Sequence, residues 1–217
     1  TSERKWAPPQ NVSIVELENP LNEEFTTMKT SLVGGLIQNM LTSIHHQAKE
    51  LRLFEIRPVF FKDPTSDTGV MQQWRVCAAM TGRSFSNTLL ARDRMLDYFD
   101  CKGVLESILE SLGCRGYRYQ VDTKAPDNRF HPTQSALLAI GKGPCGIIGR
   151  LHPKHESDLK LRSEVFVFEF DLDRALEIAK LDRKYVPLTK YPKVERDLSV
   201  LVPNGVTVEK ILSSVTK

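Results

Sequence analysis

Two pairs of strand-like runs, each joined by a cluster of turn residues, constrain this chain more than any other feature. Leu51 to Phe61 and Trp74 to Met80 are apolar runs on either side of Asp63-Pro64-Thr65-Ser66-Asp67-Thr68-Gly69. Ala136 to Ile140 and Ile147 to Leu151 flank Gly141-Lys142-Gly143-Pro144-Cys145-Gly146. Both pairs read as β-hairpins. Tyr117 to Val121 and the long apolar run Val165 to Leu172 add two further strands. Strands outnumber helices and pair mainly through hairpins, which predicts an α+β domain built on an antiparallel sheet. Within Leu51 to Phe61 both alternating sets hold apolar residues, so the strand is expected to be largely buried on both faces. Pro58 places it at a bulge or a sheet edge.

The helices carry clear stripes. Leu32, Val33, Leu36, Ile37, Met40, Leu41 and Ile44 recur at helical spacing, and Thr30 or Ser31 is placed to cap their start. Gly34 and Gly35 inside this helix cost about 1 kcal/mol each relative to Ala, a cost usually tolerated where another backbone comes close. A stripe this wide can bury itself in its own core or against another chain. Val104, Leu105, Ile108, Leu109 and Leu112 form a second stripe that Gly113 stops. Asp173 is expected to cap a short helix over Arg174 to Leu181. Residues 1 to about 20, with Pro8, Pro9 and Pro20, read as an extended lead-in with a short strand at Val12 to Leu17. A boundary is expected between Lys180 and Lys190, followed by a half-buried strand at Leu198, Val200 and Val202 and a helix from Val206 to Val215.

Composition narrows the classes of function. With 30 Lys and Arg against 27 Asp and Glu, the formal net charge of the 217 residues is only +3. A dedicated nucleic-acid binder needs charge gathered on one face, and this total does not argue for one. The aliphatic runs fall far short of the roughly 18 residues of a membrane span. The opening Thr1-Ser2-Glu3-Arg4-Lys5-Trp6 holds neither an apolar leader nor an initiator Met, and Val208 to Lys217 begins a helical pattern that stops without a terminating signal. The chain is therefore expected to be an excised fragment of a cytoplasmic protein. Cys77, Cys101, Cys114 and Cys145 contain no CxxC pair, so four reduced thiols are expected rather than a zinc site or redox dithiol.

The motifs of chemistry are sparse. Gly141 to Gly146 matches GxGxxG, but a strand follows it where a phosphate-binding helix should start, and Pro144 removes an N–H; it reads as a hairpin turn. His152-Pro153-Lys154-His155 reads as a loop or helix cap before it reads as a metal site, and the adjacent His45 and His46 cannot chelate together. Glu169, Asp171 and Asp173 share a period of two around one strand. They could hold magnesium or serve acid–base work, but a solvent-facing edge with Asp173 capping a helix is the plainer reading.

Several stretches carry a family resemblance through nearly the whole chain. Asn19-Pro20, Met28-Lys29-Thr30-Ser31-Leu32-Val33-Gly34-Gly35-Leu36 and Leu51-Arg52-Leu53-Phe54-Glu55-Ile56 resemble the core of the bacterial phenylalanyl-tRNA synthetase beta subunit. Phe99-Asp100-Cys101-Lys102-Gly103-Val104-Leu105-Glu106, His131-Pro132, Gly149-Arg150-Leu151-His152-Pro153 and Phe168-Glu169-Phe170-Asp171-Leu172-Asp173 are similar to the same family. Tyr191-Pro192-Lys193-Val194-Glu195-Arg196-Asp197-Leu198-Ser199 resembles the opening of that subunit's ferredoxin-like anticodon-binding domain.

The resemblance implies a class II synthetase-like core over 1–182, without an active site of its own, and a linker with the truncated start of the ferredoxin-like module over 183–217. It implies scaffolding: two alpha and two beta chains assemble, and the alpha subunit charges tRNA(Phe) with phenylalanine using ATP and Mg²⁺. No catalytic residue, cofactor or metal is expected on this chain. The first helix matches the element that joins the alpha and beta cores, which singles out Leu32, Gly34, Gly35, Leu36, Met40 and Ile44 as the subunit interface. Arg196 is the one candidate for RNA contact. Arg52 and Glu55 lack the fRxE spacing of a class II phosphate-binding strand, and Arg174 follows Asp173 without the Gly-rich lead of an ATP-binding helix. A diverged but active ATP-dependent ligase and a tRNA-binding module are the alternatives.

Overall fold

A computed structural model describes residues 6–8, 14–20, 26–84, 94–120, 127–141, 143–181, 192 and 194–215. The chain divides into two compact units, 1–182 and 183–217. In the first, the order is α1 (Val33–His45), β1 (Leu51–Lys62), β2 (Val70–Thr81), α2 (Tyr98–Ser111), β3 (Arg118–Gln120), β4 (Phe130–Ile140), β5 (Gly143–Leu151), α3 (Pro153–Asp158), β6 (Val165–Asp171) and α4 (Leu172–Ile178). The six strands form one sheet in the order β1-β2-β6-β5-β4-β3. Every neighbouring pair is antiparallel. The architecture is thus the α+β, antiparallel-sheet class that hairpin spacing predicts.

Local chemistry explains the connections. The β1–β2 turn closes with Asp63 N–H donating to the Gly69 carbonyl, while the Asp63 carboxylate accepts from the Thr65 amide. The stretch matching GxGxxG is the β4–β5 hairpin, with Ile140 opposite Gly143; Lys142 in its turn lies outside the described residues. At α2, Asp97 accepts from the Phe99 and Asp100 amides and the Asp100 carboxylate accepts from the Asp97 amide, a full capping box. That helix ends at Gly113, whose φ of +69° favours glycine, and any Cβ there would sit 2.1 Å from the Lys180 carbonyl. His152 caps α3 by accepting from the Lys154 amide.

Strand alternation sends two sets of side chains to opposite faces. One face carries Cys77, Ala79, Ile147, Val165 and Val167 and is covered by Leu32, Val33, Leu36, Ile37, Met40 and Leu41 of α1. The other carries Val76, Ala78, Ile148, Phe166, Phe168 and Phe170 and is covered by Cys101, Leu105 and Leu109 of α2 and Ala175 of α4. Each fully buried Leu or Phe contributes roughly 1.5–3 kcal/mol, so α1 and β6 are the best-anchored elements.

Several details depart from the sequence expectations. β1 is an edge strand, as Pro58 requires, but it is not buried on both faces: Phe54 is 74% and Ile56 46% exposed, because α2 covers β5 and β6 and stops short of β1. The short helix after β6 starts earlier than expected, and its cap is Asp171, which accepts from the Arg174 amide; Asp173 already lies inside the first turn. Of the expected strand at Val12 to Leu17, Val12 and Ser13 lie outside the described residues, and Glu16 makes a single bridge with Thr27. Val121, the expected end of β3, lies outside them too.

In the second unit, residues 208–215 form helix α5 (Val208–Val215). Leu198, Val200 and Val202 are exposed and belong to no strand among the described residues, contrary to the expected half-buried strand. A segment this short has no second layer on which to bury an apolar face.

Candidate functional site

The start of α1 leads into a buried polar network. Leu32 occupies the helix N-cap and has no capping side chain. Its amide donates to Glu169 Oε1 at 2.6 Å, across 137 positions of chain. Ser31 supplies the rest of the cap: its hydroxyl accepts from the Val33 amide at 3.2 Å and donates to the Glu169 carboxylate at 3.0 Å. A carboxylate at a helix N-terminus meets both free N–H groups and the positive end of the dipole. Glu169 is 1% exposed. It stands on β6, between β2 and β5, with α1 lying over that face; this corrects the reading of Glu169 as part of a solvent-facing edge.

Two arginines balance this charge. Arg75 Nη1, on the adjacent β2, lies 3.3 Å from Glu169 Oε2, and Arg129 Nη1 lies 3.9 Å from the same atom. Arg129 is itself buried and forms a fork with Asp127 at 2.6–3.0 Å. Its Nη1 donates to the Ser31 hydroxyl at 2.8 Å and to the Trp6 carbonyl at 3.0 Å. Burial works against the Arg129 charge, but Asp127 and Glu169 outweigh it and hold the guanidinium above its ordinary pKa. The Cys77 thiol on the same face is pushed well up, by burial first and by Glu169 second. The network thus ties residues 6, 31, 127, 129, 75 and 169 together and fixes the angle at which α1 leaves the sheet.

The other acidic positions are engaged as well. Asp171 caps α4 and accepts from Gln73, and Asp173 accepts from the Trp74 amide at 2.7 Å. Among the described residues, no group of three or more His, Cys, Asp or Glu is arranged to hold a metal ion. Arg52 and Glu55, three apart on β1, project to opposite faces. Arg52 donates to the Arg83 and Ser84 carbonyls, whereas Glu55 pairs with Lys29 at 4.0 Å and Arg57 at 3.4 Å. Arg174 donates to the Pro144 carbonyl at 2.7 Å.

The six interface positions named from sequence fall into two groups. Leu32, Leu36 and Met40 pack into the core beneath α1. Gly34 accommodates a neighbour of its own chain, since a Cβ there would stand 2.7 Å from the Trp6 ring. Gly35 and Ile44 are half-buried at the helix margin, and a Cβ on Gly35 would crowd the tip of Lys29 at 2.9 Å and touch Glu55 Oε2 at 3.9 Å. Arg196 is exposed in the second unit. Sequence reading missed Arg129, Asp127 and Arg75. The available signal was the carboxylate inside Val165-Phe166-Val167-Phe168-Glu169-Phe170, since a charge within an unbroken apolar strand must be paired when the strand is buried.

Residues 2–172 match the family model described as phenylalanyl tRNA synthetase beta chain CLM domain. The phenylalanine–tRNA ligase beta subunit of Syntrophotalea carbinolica is 32% identical over 91% of this chain and 24% of its own length. Those of Clostridium acetobutylicum and Trichormus variabilis are also 32% identical, over 92% and 94% of this chain and 23% and 25% of theirs. The chain therefore spans about a quarter of the length of these relatives. In fold it is similar to pyrrolysyl-tRNA synthetase of Desulfitobacterium hafniense, with a TM-score of 0.51 at 14% identity, covering 74% of this chain and 52% of that one. The motifs spread along the sequence, the six-stranded sheet and these matches agree: the chain belongs to the phenylalanyl-tRNA synthetase beta-chain family, in the region of its CLM domain.

Proposed function

We propose that this chain is a non-catalytic, class II synthetase-like core of a phenylalanine–tRNA ligase beta subunit, and that its work is to position a catalytic alpha subunit. Two alpha and two beta chains form the working enzyme in the cytoplasm, and ATP, Mg²⁺ and tRNA(Phe) are handled by the assembly. Residues 183–217 are the beginning of its ferredoxin-like anticodon-binding module, with Arg196 as the residue to test for RNA contact.

The observation that carries this reading is the use of Glu169. A carboxylate on the central strand is spent on the N-terminus of α1 and on Ser31, Arg75 and Arg129, all of the same chain. It holds a helix in place instead of facing a ligand. Arg52, on the strand comparable to a phosphate-binding one, is likewise bound to backbone carbonyls.

Assembly uses what the core leaves over. Gly35 and Ile44 at the margin of α1 are the members of the named set that a partner reaches. The uncovered apolar face of β1, with Phe54 and Ile56, offers a second contact. Light scattering on the chain mixed with the alpha subunit tests the proposal: a heteromeric mass is expected, with no phenylalanine-dependent ATP–pyrophosphate exchange by the chain alone. Loss of that mass in Gly35→Leu assigns the helix margin, and loss in Phe54→Asp alone moves the contact to β1. Exchange by the chain alone overturns the non-catalytic reading.

A further inference from the structure

The two edges of the sheet differ in what they offer another strand. β3 presents only Arg118–Gln120 among the described residues, and an edge that short has little to pair with. β1 is 12 residues long and pairs with β2 without a bulge. Its outer side changes character at Pro58. Beyond it, the Phe60 N–H turns away from β2 and donates to the Lys29 carbonyl at 2.8 Å. Alternation along an antiparallel ladder then turns the N–H and C=O groups of Arg52, Phe54 and Ile56 outward as well. Among the described residues no backbone group meets them. Pro58 has no N–H to offer and closes the open stretch.

Leu51 to Arg57 is also the part of β1 that the whole sheet backs. β2 pairs with β6 from Arg75 to Thr81, the residues that stand opposite Arg57 to Leu51. On one face this stretch carries the exposed Phe54 and Ile56, beside Ala78 and Val76 of β2. An open, unbulged edge with an apolar face is a template for a further strand. A second β1 fits it in one register. With a two-fold axis through Phe54, Phe54 faces Phe54 of the second copy and Arg52 faces its Ile56, so each outward N–H of β1 meets a carbonyl. An axis through Glu55 would set two carboxylates opposite each other. An axis through Ile56 would leave the Phe54 carbonyl facing Pro58. In the Phe54 register Glu55 faces Leu53 and Arg57 faces Leu51, so no like charges stand opposite, and Glu55 keeps its own Lys29 and Arg57 at 4.0 and 3.4 Å.

We propose that the outer edge of β1 is a self-association surface. Two copies of the chain pair antiparallel through Leu51 to Arg57, and their six-stranded sheets become one continuous sheet across an isologous two-fold. The stretch is a fraction of the roughly 20–30 residues that a stable interface takes from each partner. The dimer is therefore weak and reversible, with a dissociation constant of roughly 10–100 μM. This goes beyond the scaffolding role, which does not require it.

Sedimentation equilibrium of the chain alone, from about 1 to about 500 μM, reads the dimer directly. Phe54→Asp puts a charge on the shared face, and Ile56→Pro removes an outward N–H that the fold itself does not use. Each should weaken the dimer at least about ten-fold while circular dichroism shows the fold retained. Phe99→Asp, at a comparably exposed ring on α2, should leave it unchanged. Under mild oxidation Phe54→Cys should give a covalent dimer, because a directly opposite hydrogen-bonded pair brings the Cα atoms to about 5.5 Å, within disulfide range. The unaltered chain, whose four cysteines are buried, should not. A monomer throughout the concentration range overturns the proposal. So does a dimer that Ile56→Pro leaves intact, since strands are then not paired, and so does one that Phe99→Asp weakens as much as Phe54→Asp, since association is then unspecific. Every sample lacks the alpha subunit, so failure here is distinct from failure of the scaffolding role.

Discussion

Replacing Glu169 with Ala tests the network most directly. The change removes the acceptor of the buried Leu32 amide and one partner each of Ser31, Arg75 and Arg129. An orphaned buried donor costs about 1–3 kcal/mol, and loss of a carboxylate from a partly buried helix N-terminus up to ~2 kcal/mol. Breaking a buried ion pair costs roughly 3–5 kcal/mol when the remaining charge is stranded. Arg129 is not stranded, because Asp127 still forks it. The expected loss is therefore about 4 kcal/mol and not the sum of the separate terms. With a urea slope of about 2 kcal/mol/M, the unfolding midpoint followed by circular dichroism should fall by about 2 M. Glu169→Gln keeps a carbonyl acceptor for Leu32 and should lose about half as much. Arg75→Gln, at the partly exposed rim, should lose about 1 kcal/mol. A midpoint shift below about 0.5 M for Glu169→Ala would refute the claim that this carboxylate anchors α1.

Three further outcomes follow from other parts of the structure. Gly34→Ala should destabilise the fold by roughly 1–2 kcal/mol in the same urea assay, because its Cβ enters the Trp6 ring; Gly35→Leu should cost less, since the flexible Lys29 tip can move. Asp97→Ala should cost about 1 kcal/mol by removing the α2 cap, and an unchanged midpoint would mean that the first turn is held by packing alone. Burial raises the Cys101 thiol to about 12 and the Cys145 thiol to about 11. These folded values lie above that of an unfolded thiol, so the stabilising contribution is complete below about pH 8.5 and is lost as pH rises towards the folded values. Urea midpoints should decline between about pH 9 and 11, and Cys101→Ala with Cys145→Ala should flatten that decline; an equally steep fall in the variant would assign it to other groups.

The antiparallel α+β class, the stripes of α1 and α2, both hairpins and the family were legible in the residues, because each rests on local periodicity, turn chemistry or motif order. Turn chemistry also disposed of the GxGxxG match, and Gly113 marked the end of α2. Two local expectations failed for non-local reasons. Asp171 caps α4 in place of Asp173 because the strand ends one residue sooner and the helix follows at once, from Leu172. Phe54 and Ile56 look like core residues but lie where α2 does not reach.

What the sequence determined by itself was the set of elements and their apolar faces. Which surface each face would meet was left to the tertiary structure, since periodicity specifies that a stripe is buried and not against what. The stripe of Leu32, Leu36 and Met40 fits a partner chain or its own sheet equally well, and the fold spends it on the sheet. The cap of α1 comes from Glu169, 138 positions beyond Ser31. Contacts of that length are made only when β2, β6 and α1 have come together, and no local pattern encodes them.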